Sequence, residues 1–105
     1  MTFSETLHKL PPISHIAALR LLDAEGVETA RIENKPGSAG SVAVYNHLAQ
    51  TYGAITAEAA KKGLELYAEH TEEARAQPGK HPNIDRLIAI AEGAPALKVK
   101  LAFAI

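Results

Sequence analysis

Apolar positions along the chain keep changing period, and each change marks an element. Phe3, Leu7 and Leu10 share one helical face, and Thr2 with Glu5 three positions on fits a capping box, so residues 2–10 are predicted as a short helix. Pro11 and Pro12 stop it. HIAALRLLD, then AEG, then VETARIEN read as two strands around a tight turn, with Gly26 taking the positive φ that such turns need. Leu19 and Leu21 face one side of the first strand, Ile16 and Leu22 the other. A strand apolar on both faces belongs in a sheet interior, whereas Glu28, Thr29, Arg31 and Glu33 make the second strand polar enough for an edge.

NKPGSAGS, residues 34–41, is loop chemistry and opens a helix carrying Val44, Leu48 and Tyr52 four apart, which Gly53 closes. Thr56 caps what the pattern predicts as the longest helix, running to about Gln77. Its wheel gathers Ala59, Gly63, Leu66, Tyr67, His70 and Ala74 in one arc, with Lys61, Lys62, Glu65, Glu69, Glu72 and Glu73 opposite. Gly63 costs a helix about 1 kcal/mol against alanine, which points to close packing there. PGKHPN, residues 78–83, leads into a further helix with Ile84, Leu87, Ile88 and Ala91 at helical spacing and Gly93 at its end. After Pro95 the chain alternates: Leu97, Val99, Leu101, Phe103 and Ile105 face one way, Lys98 and Lys100 the other. The resulting expectation is one α+β domain over residues 1–105. It has a three-stranded sheet, hairpin plus C-terminal strand in order 2-1-3, with three core helices packed on one face and a short N-terminal helix.

Composition narrows the functions. Eleven basic residues against twelve acidic ones give no general attraction for nucleic acid or anionic lipid, and two phenylalanines with three tyrosines, mostly on apolar faces, make no stacking platform for single strands. The longest apolar runs fall far short of the roughly 20 residues that cross a bilayer. Cysteine is absent, which removes disulfides, thiol nucleophiles and iron–sulfur ligation. The expected setting is the cytoplasm, with no nucleic-acid or membrane partner.

Two helix starts carry the candidate chemistry. Such starts present unpaired backbone N–H groups and a partial positive charge, and glycine lets an anion approach the backbone, so Lys35, Gly37, Ser38, Gly40 and Ser41 suit a phosphate or carboxylate. The loop has neither a Walker ending nor a GxGxxG pattern, and its plainer reading is a Pro-Gly turn with a serine cap. Lys80, His81 and Asn83 sit at the second start; more plainly, His81 and Asn83 cap, Asp85 balances the dipole and Arg86 pairs with an outer-face carboxylate. His70, in the middle of the expected buried arc, must find partners or act as a base or ligand. With Glu73 it forms an i, i+3 pair, yet a carboxylate-bridged site needs a second such helix, and neither neighbour supplies one. No metal and no cofactor is therefore expected. GxSxG and SxxK are absent, so no catalytic triad is nominated.

The phrases NKPGSAGSVAVYNHLAQTYG, AAKKGLELYAEHTEEAR and PGKHPNIDRL, within residues 34–87, resemble a family of short bacterial proteins classed as a domain of unknown function, DUF2322. The resemblance implies bacterial origin and a free-standing single domain, and carries no activity, cofactor or site residue.

These features favour a non-enzymatic cytoplasmic module that recognises an anionic small molecule or a protein partner through its two helix-start loops. The alternative is a small enzyme using His70 or His81 as general acid or base, with the loop serines and Lys35 orienting substrate. A cavity shared by His70 with Lys35 or Lys80 favours the enzyme; an enclosed, bonded ring counts against it. A homodimer joined through the C-terminal strand is a further expectation, with Lys98 and Lys100 guarding that edge against uncontrolled pairing.

Overall fold

Asp23 builds the hairpin turn, its carboxylate accepting the amide protons of Glu25 and Val27 at 2.9 Å each, while Gly26 holds φ at +83°. The computed structural model describes residues 1–104, so Ile105 of the expected terminal strand lies outside the described residues. The order of elements is α1 (Phe3–Leu7), β1 (Ile16–Leu22), β2 (Glu28–Glu33), α2 (Ala39–Tyr52), α3 (Ala57–Leu66), α4 (Glu69–Ala76), α5 (Pro82–Ala91) and β3 (Lys98–Phe103). The strands form one antiparallel sheet in the order β2-β1-β3, as the pattern predicts.

The central strand is not apolar on both faces in the expected way. Ile16 pairs with Phe103 and Ala18 with Ala102, so one extra β1 residue is accommodated at a bulge. That residue shifts the alternation by one, and Ile16 joins Leu19 and Leu21 on the covered face. The opposite face carries Arg20, directly across from Arg31 on one side and Lys100 on the other. Glu28 offsets this cationic row, meeting Arg20 Nε at 2.6 Å and Arg31 Nε at 3.6 Å. Phe103 belongs by register to the covered face, yet it is 63% exposed and stacks on His15.

Helix α2 lies against all three strands and also packs on α3. A helix enclosed in this way needs apolar residues around most of its girth, and Val42, Ala43, Val44, Tyr45 and Leu48 are all buried, together with the polar Asn46. Full burial of each of its leucine and valine side chains stabilises the fold by roughly 1.5–3 kcal/mol. Helix α5 packs on α3 at Gly63, where a Cβ would stand 2.6 Å from Leu87 Cδ1 and 2.8 Å from Leu48 Cδ1. The Thr2 and Thr56 side chains both cap their helices, and the reciprocal Thr2–Glu5 box is complete.

The single long helix expected from Thr56 to about Gln77 is two helices. Ala68 adopts φ +52°, ψ −120°, a conformation that interrupts the hydrogen-bond ladder between α3 and α4. Contacts that span the break offset its cost. Thr71 Oγ1 donates to the Leu64 carbonyl at 2.6 Å, replacing a lost backbone bond. Glu69 Oε1 accepts from the Phe3 amide at 2.8 Å, docking α1 onto the start of α4. Tyr67 is buried and stacks on the Phe3 ring.

Candidate functional site

The two loops singled out in the sequence bound one cavity. At the first, the Lys35 carbonyl accepts from the amides of Ser38 and Ala39, and Gly37 holds φ at +95°. Ser38 turns its hydroxyl back to the Glu33 carbonyl at 2.6 Å and makes no side-chain cap, so the expected serine cap is absent. Gly40 lies under the ring of Phe3, where a Cβ would stand 3.1 Å from Cε2. At the second, Gly79 holds φ at +94° and donates its amide proton to Asp85 Oδ2 at 2.9 Å. His81 is the N-cap without a side-chain cap bond, and Pro82 begins α5. Among the described residues, the backbone N–H groups of Gly37, Gly40, His81 and Asn83 have no partner.

Two buried tyrosines brace these starts. Tyr67 donates to Ser41 Oγ at 2.7 Å, and Tyr45 donates to the Asn83 carbonyl at 2.6 Å. Arg86 does not pair with an outer-face carboxylate; its Nη1 donates to Asn83 Oδ1 at 2.9 Å and to Tyr45 Oη at 3.1 Å, with the guanidinium over the Tyr45 ring. Burial raises the Tyr45 hydroxyl to about 12, opposed by the Arg86 charge. Burial raises Tyr67 further, helped by the neighbouring Tyr45. Both therefore stay protonated near neutrality and serve as struts.

The cavity between these starts has a volume of about 380 Å³. Phe3 and Leu7 form an apolar wall, while His70, Lys80, His81 and Asn83 form a polar one. His70 is not enclosed as the straight-helix wheel implied. The break at Ala68 reorients α4, leaving the His70 side chain 39% exposed, edge-on to Phe3 and 5.7 Å from the His81 ring. Glu73 gathers the polar wall: its Oε1 is hydrogen-bonded to His81 Nε2 and lies 3.6 Å from Lys80 Nζ and 3.9 Å from His70 Nδ1. The His81 hydrogen bond, followed by the charges of Lys80, His81 and His70, holds the Glu73 carboxyl below its usual range.

Of the residues named from sequence, Gly37, Gly40, Ser41, His70, Lys80, His81 and Asn83 line this cavity; Lys35 and Ser38 do not. Lys35 is exposed on the outer limb of the turn, and the Ser38 hydroxyl is committed to Glu33. Sequence reasoning missed Tyr67 as the strut and Phe3 as the wall, because both act through contacts far along the chain. It left Glu73 on the outer face, although the His-x-x-Glu spacing was visible. His81 supplies the third donor that the pair with His70 lacked.

Fold and cavity together define a small α+β protein with a hollow of mixed apolar and polar lining at two helix starts. Residues 3–101 match a family described as an uncharacterized protein conserved in bacteria, DUF2322, and the chain belongs to that family. Searches of curated proteins and of solved structures gave no match. Among the described residues, no helix is long and apolar enough to cross a membrane.

Proposed function

We propose that the protein is a non-enzymatic binding module that holds an anionic group, phosphate or carboxylate, in the cavity between the starts of α2 and α5. One observation carries this reading: both helix starts, with unpartnered amides at Gly37, Gly40, His81 and Asn83, open on the same hollow. A single exposed helix start favours an anion by about 0.3–1 kcal/mol, too little for a site. Two starts together with a charge-assisted bond from Lys80, worth about 1.5–3 kcal/mol, are enough to order one. Glu73 offsets part of this field, since its carboxylate engages His81 and Lys80, so the unpartnered amides of the two starts carry the reading. Calorimetric titration with inorganic phosphate tests the reading. Binding that weakens with added salt and with Lys80→Ala supports it, and absence of binding at millimolar phosphate rejects it.

A second reading, acid–base catalysis, is favoured by the His81–Glu73 hydrogen bond and by His70 sharing the cavity with Lys80. A carboxylate that orients an imidazole beside a substrate-sized hollow is the arrangement general-base chemistry uses. Turnover of phosphate or carboxylate esters that disappears in His81→Ala while phosphate binding persists would select this reading over the first.

A further inference from the structure

We propose that His70, Glu73 and His81 form a binding site for a divalent transition-metal ion, with zinc the best fit. The observation is geometric. One nitrogen from each imidazole and one carboxylate oxygen all lie within 4.8 Å of one another, although they come from α4 and from the residue just before α5. His70 Nδ1 is out of contact with solvent and has no hydrogen-bond partner among the described residues, while facing Glu73 Oε1 at 3.9 Å. A buried imidazole nitrogen left unpaired costs about 1–3 kcal/mol, and a metal ion would satisfy it.

The donor set selects the ion. Two neutral imidazoles with one carboxylate suit zinc and its first-row neighbours; calcium and magnesium prefer an all-oxygen shell. Bond lengths of about 2.0–2.2 Å place tetrahedral donors roughly 3.3 Å apart. His70 Nδ1 and Glu73 Oε1 must therefore close by a fraction of an ångström from 3.9 Å, a small rotation for side chains that are 39% and 40% exposed. His81 and Glu73, now hydrogen-bonded to each other, must separate slightly to admit the ion between them. Lys80 Nζ, 3.6 Å from the same oxygen, is the group the ion displaces. Three protein donors leave a fourth position for water or for a ligand in the adjoining cavity, the coordination number of catalytic rather than purely structural zinc.

The metal site shares His81 and the neighbourhood of Lys80 with the proposed anion site but needs no anion to form, so it is tested with the metal alone. Full-length protein stripped with a chelator is titrated with zinc chloride in phosphate-free buffer, and in parallel with cobalt(II), whose visible absorption reports coordination number. Expected are one ion per chain, an intense four-coordinate cobalt spectrum and a higher melting temperature. The His70 and His81 ring signals should shift on zinc addition while those of His8, His15 and His47 stay put. Glu73→Gln, made at a part-exposed helix position that tolerates it, should weaken binding about tenfold or more, as should His70→Ala. His47→Ala should leave binding unchanged. Failure to take up zinc at micromolar concentration, or uptake that survives both Glu73→Gln and His70→Ala, overturns the proposal. The wild-type ring-signal measurement decides it even if a variant does not fold.

Discussion

Tyr67 donates its hydroxyl proton to Ser41 Oγ at 2.7 Å, joining the end of α3 to the start of α2 across twenty-six positions of sequence. The bond fixes one wall of the cavity and anchors the residue after which the helix breaks. Tyr67→Phe keeps the ring stack on Phe3 but removes the bond, and should lower stability by about 1 kcal/mol in urea unfolding. The amides around Ser41 should become less protected against hydrogen exchange while the sheet stays unchanged.

Ala68 sits at φ +52°, ψ −120°, where a Cβ is strained and glycine is not. That strain is worth about 1–3 kcal/mol, and the larger unfolded-state freedom of glycine offsets about 0.5–1 kcal/mol of the relief. Ala68→Gly is therefore expected to stabilise the protein by about 1 kcal/mol, read as a raised denaturation midpoint. In a continuous helix the same substitution would destabilise by a similar amount, so the sign of the change tests the break itself.

Gly63 is expected to tolerate no side chain. A Cβ would fall within 2.8 Å of leucine methyls on two different helices, and Leu48 and Leu87 are fully buried with nowhere to move. Overpacking of about 1–3 kcal/mol exceeds the roughly 1 kcal/mol that alanine gains in helix propensity. Gly63→Ala should thus unfold at lower denaturant concentration; an unchanged midpoint would mean that α3 and α5 pack less tightly than the structure has them.

Burial raises the Tyr45 hydroxyl from its ordinary 10 to about 12, and Tyr67 shifts the same way. A proton held more tightly in the folded state contributes stability in full below pH 10, and the contribution is lost as pH rises from 10 through 12. Stability should fall steeply across that window. Tyrosinate absorbance from these two residues should rise together with the loss of helical circular dichroism, and Tyr45→Phe should reduce the pH dependence.

Local chemistry made much of the fold legible. The Thr2–Glu5 box, the turn at Gly26, the stop at Gly53 and the alternation of residues 97–101 are each decided within a few residues, and the structure has all of them. The order β2-β1-β3 followed from which strand was most apolar. The break at Ala68 was not legible, because AEHTEEARA contains no glycine or proline and continues the helical wheel without a phase error. The contacts that flank the break lie elsewhere in the chain: Tyr67 donates to Ser41, and Glu69 accepts from the Phe3 amide. The bulge in β1 was hidden for a related reason, since Ile16 faces the helices only because Phe103 and Ala102 pair as they do. The candidate site was half visible. Its loops announced themselves by glycine, proline and lysine, whereas the assembly of His70, Glu73 and His81 depends on the tilt of α4 that follows from the break.

The convergence of two helix starts on one anion site is tested most directly by following backbone amide signals while inorganic phosphate is added to the isotope-labelled protein. The amides of Gly37, Gly40, His81 and Asn83 should move together along one saturating curve, while those of the hairpin turn at Gly26 stay fixed. If the two loops respond with different affinities, or if neither responds while exposed lysines drift uniformly, the cavity is not an anion site.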